Sequence, residues 1–300
     1  MKNIVKEIEN YKIGKYITNS PLSKYTSYKV GGNAKLIVYP NNVKKLIKLL
    51  EIIKSNNLKF IVLGNATNVV FSDKPYKGII IKLDLLNDLK INDGIVTVQS
   101  GYGLSKLSNE LSKSGLTGLE FACGIPGSIG GAIYMNAGAY GSCMQNIVKS
   151  INVITPKLEL KTISNTDCKF DHRYSFLKDN KDYICVSATL KLEVGNKEEI
   201  NDLIKDRIKK RWQAQPLEFP NAGSVFKNPG DKFAGKLIED LSLKGYTIGG
   251  AQISEKHANF IINKNNASAK DIKTLINYIR KKVKKEYNIN LETEQELINF

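Results

Sequence analysis

The stretch from Phe121 to Val148 contains no Asp, Glu, Lys or Arg, in a chain of 300 residues that is 25% charged. It is also dense in glycine, which lets the backbone approach a ligand closely and adopt positive φ. A neutral segment of this kind can offer main-chain N–H groups to a bulky, partly anionic molecule. The pattern indicates a cofactor-binding segment, and a tight structural loop region remains the alternative. A membrane span is disfavoured because Pro126, Asn136 and the glycines interrupt every apolar run.

The glycine spacing does not match the familiar phosphate-binding motifs. Gly124-x-x-Gly127-x-x-Gly130-Gly131 is neither a P-loop nor the G-x-G-x-x-G of a Rossmann turn, so a dinucleotide here requires another fold. A second candidate is the turn Gly64-Asn-Ala-Thr-Asn68, which follows the apolar run Lys59–Leu63. Such a turn can present N–H groups and polar side chains to phosphates, or it can simply end a strand.

Three other places carry side chains that could act on a substrate. Arg173 lies among aromatic and hydroxyl residues and could bind a carboxylate with two hydrogen bonds, or it could be an ordinary surface arginine. Ser224 follows a glycine in a loop bounded by prolines. With two histidines in the chain and no G-x-S-x-G motif, a hydrolase triad is disfavoured, and Ser224 could instead be a proton donor, a hydrogen-bonding group or a structural loop residue. Glu292, Glu294 and Glu296 would share one face of a strand, or else lie on the solvated surface.

The surrounding periodicity predicts three α/β or α+β units with boundaries near 78 and 195, namely 1–78, 79–195 and 196–300. The predicted helices cover Val43–Ile53, Leu104–Lys113, 200–212, Ala234–Leu241 and a long segment that begins at the capping box Ser268-x-x-Asp271. The predicted strands cover Lys59–Leu63, Ile79–Leu83, Ile95–Val98, Ile151–Thr155, Glu159–Ile163 and Tyr183–Leu192.

The composition narrows the class of protein. The net charge of +16 is spread over scattered lysines and predicted helix faces, without a nucleic-acid-binding motif, which favours small anionic substrates over nucleic acid. The four cysteines, at positions 123, 143, 168 and 185, show no C-x-x-C spacing, so we expect buried free thiols and no metal site. The first residues contain no long apolar stretch typical of a secretory signal, and we expect a cytoplasmic monomer without membrane insertion.

Taken together, the motifs resemble the UDP-N-acetylenolpyruvoylglucosamine reductases, bacterial flavoenzymes of peptidoglycan precursor synthesis. The most specific matches are Gly124-Ile-Pro-Gly-Ser-Ile-Gly-Gly-Ala132 and Met135-Asn-Ala-Gly-Ala-Tyr-Gly141. The others, in chain order, are Thr26-Ser-Tyr-Lys-Val-Gly-Gly-Asn-Ala34, Leu63-Gly-Asn-Ala-Thr-Asn68, Arg173-Tyr-Ser175, Gln215-Pro216, Ala222-Gly-Ser-Val-Phe-Lys-Asn-Pro229, Ala234-Gly-Lys-Leu-Ile-Glu239, Lys256-His-Ala-Asn-Phe260 and Leu291-Glu-Thr-Glu294. This ordered set covers most of the chain.

The resemblance implies an α+β architecture: a two-subdomain FAD-binding fold of the vanillyl-alcohol-oxidase (PCMH) type, followed by a C-terminal α+β substrate-binding domain. The short last domain is similar to the family's second type, which lacks an extra substrate-covering insertion. The resemblance also implies non-covalent FAD, NADPH as co-substrate, and UDP-N-acetylglucosamine enolpyruvate as the sugar nucleotide that is reduced to UDP-N-acetylmuramate.

Site residues follow from the same motifs. The implied catalytic residues are Arg173, Ser224 and Glu294, and Lys227 and Asn228 would bind the sugar nucleotide. The implied FAD contacts are Gly64, Asn65, Ala66, Thr67, Asn68, Gly124, Ile125, Pro126, Gly127, Ser128, Gly130, Gly131, Ala132, Asn136 and Ala137. Hydride would pass from NADPH through FAD to C3 of the enolpyruvyl group. Arg173 and Glu294 would stabilise the enolate, and Ser224 would protonate C2.

Three positions depart from the family pattern, and two other functions stay open. The family usually has Ser at Thr67, Tyr at His172 and Val at Gln295, and the last difference leaves the packing beside Glu294 uncertain. An FAD-dependent oxidase of another alcohol would keep the fold but change the reaction. A basic nucleic-acid-binding or scaffolding protein would bind no flavin and would release DNA as salt rises.

Overall fold

The computed structural model describes residues 2–300, which form two compact units built from alternating chain segments. The first unit consists of the residues up to Thr18 together with Leu36–Asn65 and Gly78–Lys209. The second consists of Asn19–Lys35, Ala66–Lys77 and Lys210–Phe300. The division into three domains at 78 and 195 stays a prediction.

The helices inferred from hydrophobic periodicity are confirmed. Residues 2–300 contain the α-helices Lys2–Asn10, Val43–Ser55, Leu104–Lys113, Ile129–Tyr134, Met144–Ile147, Lys197–Ala214, Ala234–Asp240 and Ala269–Tyr287. The last begins at the predicted capping box, in which Ser268 and Asp271 each accept a hydrogen bond from the other's backbone N–H. It ends at Tyr287 and is capped by Asn288, which adopts the left-handed conformation common at helix C-termini.

Two sheets contribute most of the strands. A four-stranded sheet has the order Gly14–Pro21, Asn33–Pro40, Tyr76–Lys82, Phe60–Leu63, and its last two strands run parallel. A five-stranded antiparallel sheet in the first unit has the order Leu160–Ser164, Val148–Ile154, Ile184–Lys191, Ile95–Gln99, Leu89–Asn92. Two short pairs complete the first unit: Leu116–Thr117 with Glu193–Val194, and Gly138–Ala139 with Ser142–Cys143.

The first unit has two large hydrophobic cores. One joins the helix Val43–Ser55 to the four-stranded sheet through residues such as Leu46, Leu49 and Ile81, which are fully buried. The other joins the helix Leu104–Lys113 to the five-stranded sheet and takes in Ile129 and Ile133 of the glycine-rich segment. The helix Ile129–Tyr134 within the glycine-rich segment is therefore anchored in a packed core.

The second unit is organised around the helix Ala269–Tyr287, whose buried face packs on Phe226, Ile238 and Ile253 in a single core. Its antiparallel sheet has the order Thr247–Ile248, Ala251–Ile253, Ile261–Asn263. Val69–Phe71 also pairs in parallel with Glu296–Ile298. The opposite face of the long helix carries the predicted exposed lysines 281, 282, 284 and 285.

The cysteine prediction needs one correction. All four thiols are free and Cys123, Cys168 and Cys185 are buried, but Cys143 is partly exposed, because it lies in the short surface hairpin Gly138–Cys143. Burial raises the pKa of Cys185 to about 11 and that of Cys168 to about 12, so both are unreactive thiols at neutral pH. Across residues 2–300, every helix is too short or too polar to cross a bilayer.

Candidate active site

Two of the predicted cofactor segments meet within the first unit. A Cβ built on Gly64 would lie 2.6 Å from Ser128 Oγ, so the turn after strand Phe60–Leu63 touches the start of helix Ile129–Tyr134. Only glycine permits this approach while Ser128 keeps its position. Ser128 is buried and caps the helix, since its Oγ accepts a hydrogen bond of 3.4 Å from the Gly131 N–H. The two segments, 64 residues apart in sequence (128 − 64), thus form one surface.

The hydrogen bonds of this surface show which N–H groups are available to a ligand. The N–H groups of Ile129 and Gly130 are occupied by the carbonyls of Tyr102 and Ser100, both at 2.9 Å. The N–H groups that find no acceptor among residues 2–300 include those of Gly64, Asn65, Gly127 and Ser128. Consecutive N–H groups of this kind bind anionic oxygens such as those of a pyrophosphate.

A buried lysine that the sequence analysis did not single out supports the first turn. The Lys82 side chain is 7% exposed, and its Nζ donates a hydrogen bond of 2.7 Å to the Gly64 carbonyl. Its second partner is Asp84, 3.3 Å from Nζ to Oδ1. Lys82 is the last residue of the strand Tyr76–Lys82, which pairs with Phe60–Leu63. The alternation of apolar and polar residues along that strand could not distinguish Lys82 from a surface lysine. It fixes the direction of the Gly64 peptide and places a positive charge beneath the turn.

Arg173 is held against the glycine-rich segment. It occupies the tight turn between Asp171 and Tyr174 with φ of +56°, and its Nη1 donates a hydrogen bond of 3.1 Å to the Gly138 carbonyl. The buried Asn136 side chain ties the same turn down, because its Nδ2 donates to the Asp171 carbonyl at 3.0 Å. A left-handed conformation is uncommon for a residue with a Cβ, and it is maintained here by these bonds.

The predicted first cofactor turn is divided between the units: Gly64 and Asn65 belong to the first, and Ala66, Thr67 and Asn68 to the second. Within the second unit, the Ala66 carbonyl accepts hydrogen bonds from the N–H and hydroxyl of Ser27. Asn68 bonds to the C-terminal segment, since its Nδ2 donates to the Glu294 carbonyl at 3.1 Å and its carbonyl accepts from the Glu296 N–H at 3.0 Å. Asn68, the last residue of this turn, is therefore hydrogen-bonded to the segment that carries Glu294.

Ser224 and Glu294, both predicted to be catalytic, lie on two paired segments of the second unit. The Glu294 N–H donates to the Val225 carbonyl at 2.8 Å, and the Lys227 N–H donates to the Glu292 carbonyl at 3.0 Å. The Ser224 side chain is partly exposed, and its hydroxyl has no hydrogen-bond partner within the described chain. The structure thus brings these two residues together and leaves the hydroxyl available.

The two predicted sugar-nucleotide ligands follow directly in the same loop. Lys227 Nζ lies 3.3 Å from the Glu292 carboxylate, and both side chains are open to solvent. The Asn228 Oδ1 accepts a hydrogen bond of 3.1 Å from the Ala234 N–H, at the start of helix Ala234–Asp240. Asn228 therefore has a structural bond as well as a free amide group. Contacts of these residues with a ligand stay a prediction.

Comparison with known proteins decides the family. Residues 34–164 match the model of an FAD-binding domain, and residues 215–298 match the C-terminal domain of UDP-N-acetylenolpyruvoylglucosamine reductase. The chain is 42% identical over 299 residues to the UDP-N-acetylenolpyruvoylglucosamine reductase of Anoxybacillus flavithermus, with 99% of both chains covered. It is 41% identical to the protein of that name from Caldanaerobacter subterraneus, covering 99% of this chain and 96% of the relative. The chain belongs to this reductase family.

A solved structure supports the same family. The crystal structure of UDP-N-acetylenolpyruvylglucosamine reductase from Thermus caldophilus superposes with a TM-score of 0.79 at 30% identity, covering 95% of this chain and 98% of that one. The predicted fold is confirmed: an FAD-binding domain is followed by the reductase C-terminal domain. The chain is thus an oxidoreductase of a flavin-binding reductase family. Its assignment to the second type stays a prediction.

Two more residues of this reductase were missed by the sequence analysis because their roles depend on distant partners. Asn259 lies in a matched motif, but only the structure shows that its buried side chain bonds to both backbone groups of Phe226. Gln295 departs from the usual family residue, and it is 2% exposed with its amide turned toward the Ser224 loop. Both residues hydrogen-bond to backbone groups close to Ser224, the predicted proton donor.

Proposed function

We propose that this protein reduces UDP-N-acetylglucosamine enolpyruvate to UDP-N-acetylmuramate, with NADPH as electron donor and non-covalent FAD as cofactor. The observation that carries the proposal is similarity over essentially the whole chain, at about two-fifths identity, to proteins named for this reductase. The residues present fit FAD, because Gly64 and Ser128 meet at a surface of unoccupied N–H groups that suits a pyrophosphate.

Bound FAD would supply the redox chemistry, by which a hydride from NADPH reaches C3 of the enolpyruvyl ether. The chain's own residues then have two tasks. The first is to stabilise the negative charge that develops on C2 and its carboxylate. The Arg173 guanidinium is permanently charged and can bind a carboxylate with two hydrogen bonds, so it is suited to this charge. Loss of one such preorganised donor typically lowers the rate by about 10²- to 10³-fold.

The second task is proton transfer to C2. The Ser224 hydroxyl is the proposed donor, because it is partly exposed and free of other hydrogen bonds. A serine is a weak acid, but an enolate-type intermediate held against it is a strong base. Glu294, whose N–H pairs with the Val225 carbonyl next to Ser224, would donate a hydrogen bond to the same carboxylate group when its own carboxyl carries a proton. C3 thus receives the hydride and C2 the proton, which gives the lactyl ether.

The test uses the purified full-length protein. We expect a yellow protein that releases FAD on denaturation and oxidises NADPH only when the enolpyruvyl sugar nucleotide is present. Ser224→Ala should keep FAD and its reduction by NADPH, while turnover falls by about 10²- to 10⁴-fold, the usual contribution of general acid catalysis.

Ser23→Ala provides the control, since Ser23 is also partly exposed in the second unit and should turn over normally. A colourless protein that cannot be reconstituted with FAD would overturn the proposal. Wild-type protein whose reduced flavin is not reoxidised by the sugar nucleotide would do the same. Unchanged turnover in Ser224→Ala would remove only Ser224 from the mechanism.

A further inference from the structure

Gln295 directs its entire side-chain amide at groups from two distant parts of the second unit. Its Nε2 donates hydrogen bonds to two successive carbonyls, those of Ala222 at 3.1 Å and Gly223 at 3.0 Å. Its Oε1 accepts a hydrogen bond of 3.2 Å from the hydroxyl of Tyr28, which is fully buried. The Tyr28 hydroxyl therefore sets which end of the amide faces the loop.

These bonds act on the peptide planes that lead into Ser224. The Gly223 carbonyl and the Ser224 N–H belong to one planar peptide unit. A bond that fixes this carbonyl therefore also fixes the orientation of the peptide plane that ends at the Ser224 Cα. The preceding carbonyl fixes the other side of Gly223, whose φ of +74° is a left-handed conformation that favours glycine. A free glycine would have the most conformational freedom of any residue at this point. Gln295 limits that freedom together with Asn221, whose Oδ1 accepts a hydrogen bond of 3.0 Å from the Gly223 N–H.

The chain beyond Ser224 is fixed by separate contacts. The Asn259 side chain donates to the Phe226 carbonyl at 2.8 Å and accepts from the Phe226 N–H at 3.0 Å, and its own carbonyl accepts from the Val225 N–H at 2.8 Å. Asn259 thus fixes the backbone that follows Ser224, and Gln295 fixes the backbone that precedes it. Gln295 also follows Glu294 directly, so one short segment sets the positions of both predicted catalytic residues of this unit.

We propose that Gln295, oriented by Tyr28, is a positioning residue that holds the Ser224 hydroxyl in place for proton transfer to the substrate. The inference rests on the proposed function of Ser224. Gln295 touches the Ser224 loop through backbone carbonyls and has no part in flavin reduction. Its loss should therefore slow the step that needs Ser224 and leave the reaction of FAD with NADPH unchanged.

The test compares three variants of the full-length flavoprotein. Gln295→Met removes the amide and keeps the length and most of the buried volume. Tyr28→Phe removes only the hydroxyl that orients the amide, and it serves as the milder variant if Gln295→Met does not fold. Ile276→Val is the matched control, because Ile276 is fully buried in the same core but lies on the long helix.

Stopped-flow absorbance measures the two half-reactions separately. For Gln295→Met we expect wild-type flavin reduction by NADPH, and a reoxidation rate at saturating sugar nucleotide that is about 10- to 100-fold lower, as for a catalytic group misplaced by about 1 Å. The apparent Kd of the sugar nucleotide should change little, and the solvent deuterium isotope effect on reoxidation should rise. For Tyr28→Phe the expected loss is about fivefold, equivalent to one neutral hydrogen bond.

Hydrogen exchange on FAD-free protein provides a readout that is independent of activity. Gln295→Met should exchange faster than Ile276→Val at the N–H groups of residues 223–225. The inference is overturned if both half-reactions slow equally, if Gln295→Met reoxidises like Ile276→Val, or if exchange in the loop is unchanged. Failure of wild-type protein to react with the sugar nucleotide would instead overturn the proposed function, so the two failures are distinguishable.

Discussion

The contact between Gly64 and Ser128 can be tested by substituting both residues. Gly64→Ala introduces a Cβ that would lie 2.6 Å from Ser128 Oγ, closer than real Cβ contacts, but 3.7 Å from Ser128 Cβ, an ordinary van der Waals distance. Gly64 has no positive φ, so its backbone accepts alanine and the effect comes from the side-chain collision alone. Ser128 must then rotate its hydroxyl away, which breaks its bond to the Gly131 N–H.

The expected loss in the free energy of unfolding follows from the loss of this helix cap. Removing a serine N-cap costs about 1 kcal/mol, so Gly64→Ala and Ser128→Ala should each lower the free energy of unfolding by about 1 kcal/mol. The double variant should lose about 1 kcal/mol in total, because alanine at 128 removes the atom with which the new Cβ collides. The coupling energy is then about 1 kcal/mol, well above the roughly 0.3–0.5 kcal/mol scatter expected for independent sites.

Urea unfolding of the four FAD-free proteins gives this coupling, and quenching of flavin fluorescence gives the Kd for FAD. We expect Gly64→Ala to weaken FAD binding by about tenfold, equivalent to 1.4 kcal/mol, and the double variant to bind FAD as Ser128→Ala does. Gly103→Ala is the control, because its Cβ would be 3.5 Å from the nearest atom. Additive unfolding energies would refute the contact. Unchanged FAD binding in Gly64→Ala would refute the assignment of Gly64 to the cofactor site.

Two further predictions concern buried polar groups. Lys82→Met removes a charged hydrogen bond to the Gly64 carbonyl, worth about 1.5–3 kcal/mol, and should weaken FAD binding by at most roughly 10- to 100-fold in a fluorescence titration. Lys59→Met removes the same charge from an exposed position and should bind FAD normally; equal affinities of the two variants would contradict a role for Lys82. Burial lowers the pKa of His257, whose Nδ1 accepts the Asn259 N–H. The unfolded chain therefore takes up the proton first, and stability should fall as pH drops below about 6.5. Urea midpoints at pH 7.5 and 5.0 should differ less in His257→Asn, and an equal difference would contradict the prediction.

The sequence was most informative where structure depends on local pattern. The helices Val43–Ser55 and Leu104–Lys113 were predictable because their buried leucines and isoleucines repeat at helical spacing, as at Leu104, Leu107 and Leu111. The capping box at Ser268 and Asp271 marked the start of the long helix in the same way. Motif resemblance supplied the family and the fold, which the comparisons confirmed.

Local pattern failed where glycine or distant partners determine the structure. The helix Ile129–Tyr134 has two glycines in six residues, which is unfavourable for a helix, and it forms because Ile129 and Ile133 are buried in the core. Lys82 resembled a surface lysine because its partner Gly64 is 18 residues away. Gln295 resembled a mismatch beside Glu294 because its partners lie more than 70 residues earlier.

The pairing of Val69–Phe71 with Glu296–Ile298 has a consequence for how the protein is made. Ser72 and its partner Asn299, at the end of this pair, are 227 residues apart. At roughly 5–20 residues per second, a ribosome needs about 11–45 seconds to synthesise that length. During this time residues 66–77 have been made but lack the strand that completes their unit, whereas the later segments of the first unit already have their partners. We therefore expect the first unit to fold during synthesis, and the turn Ala66–Asn68 to reach its final structure only after Glu296–Ile298 has been synthesised.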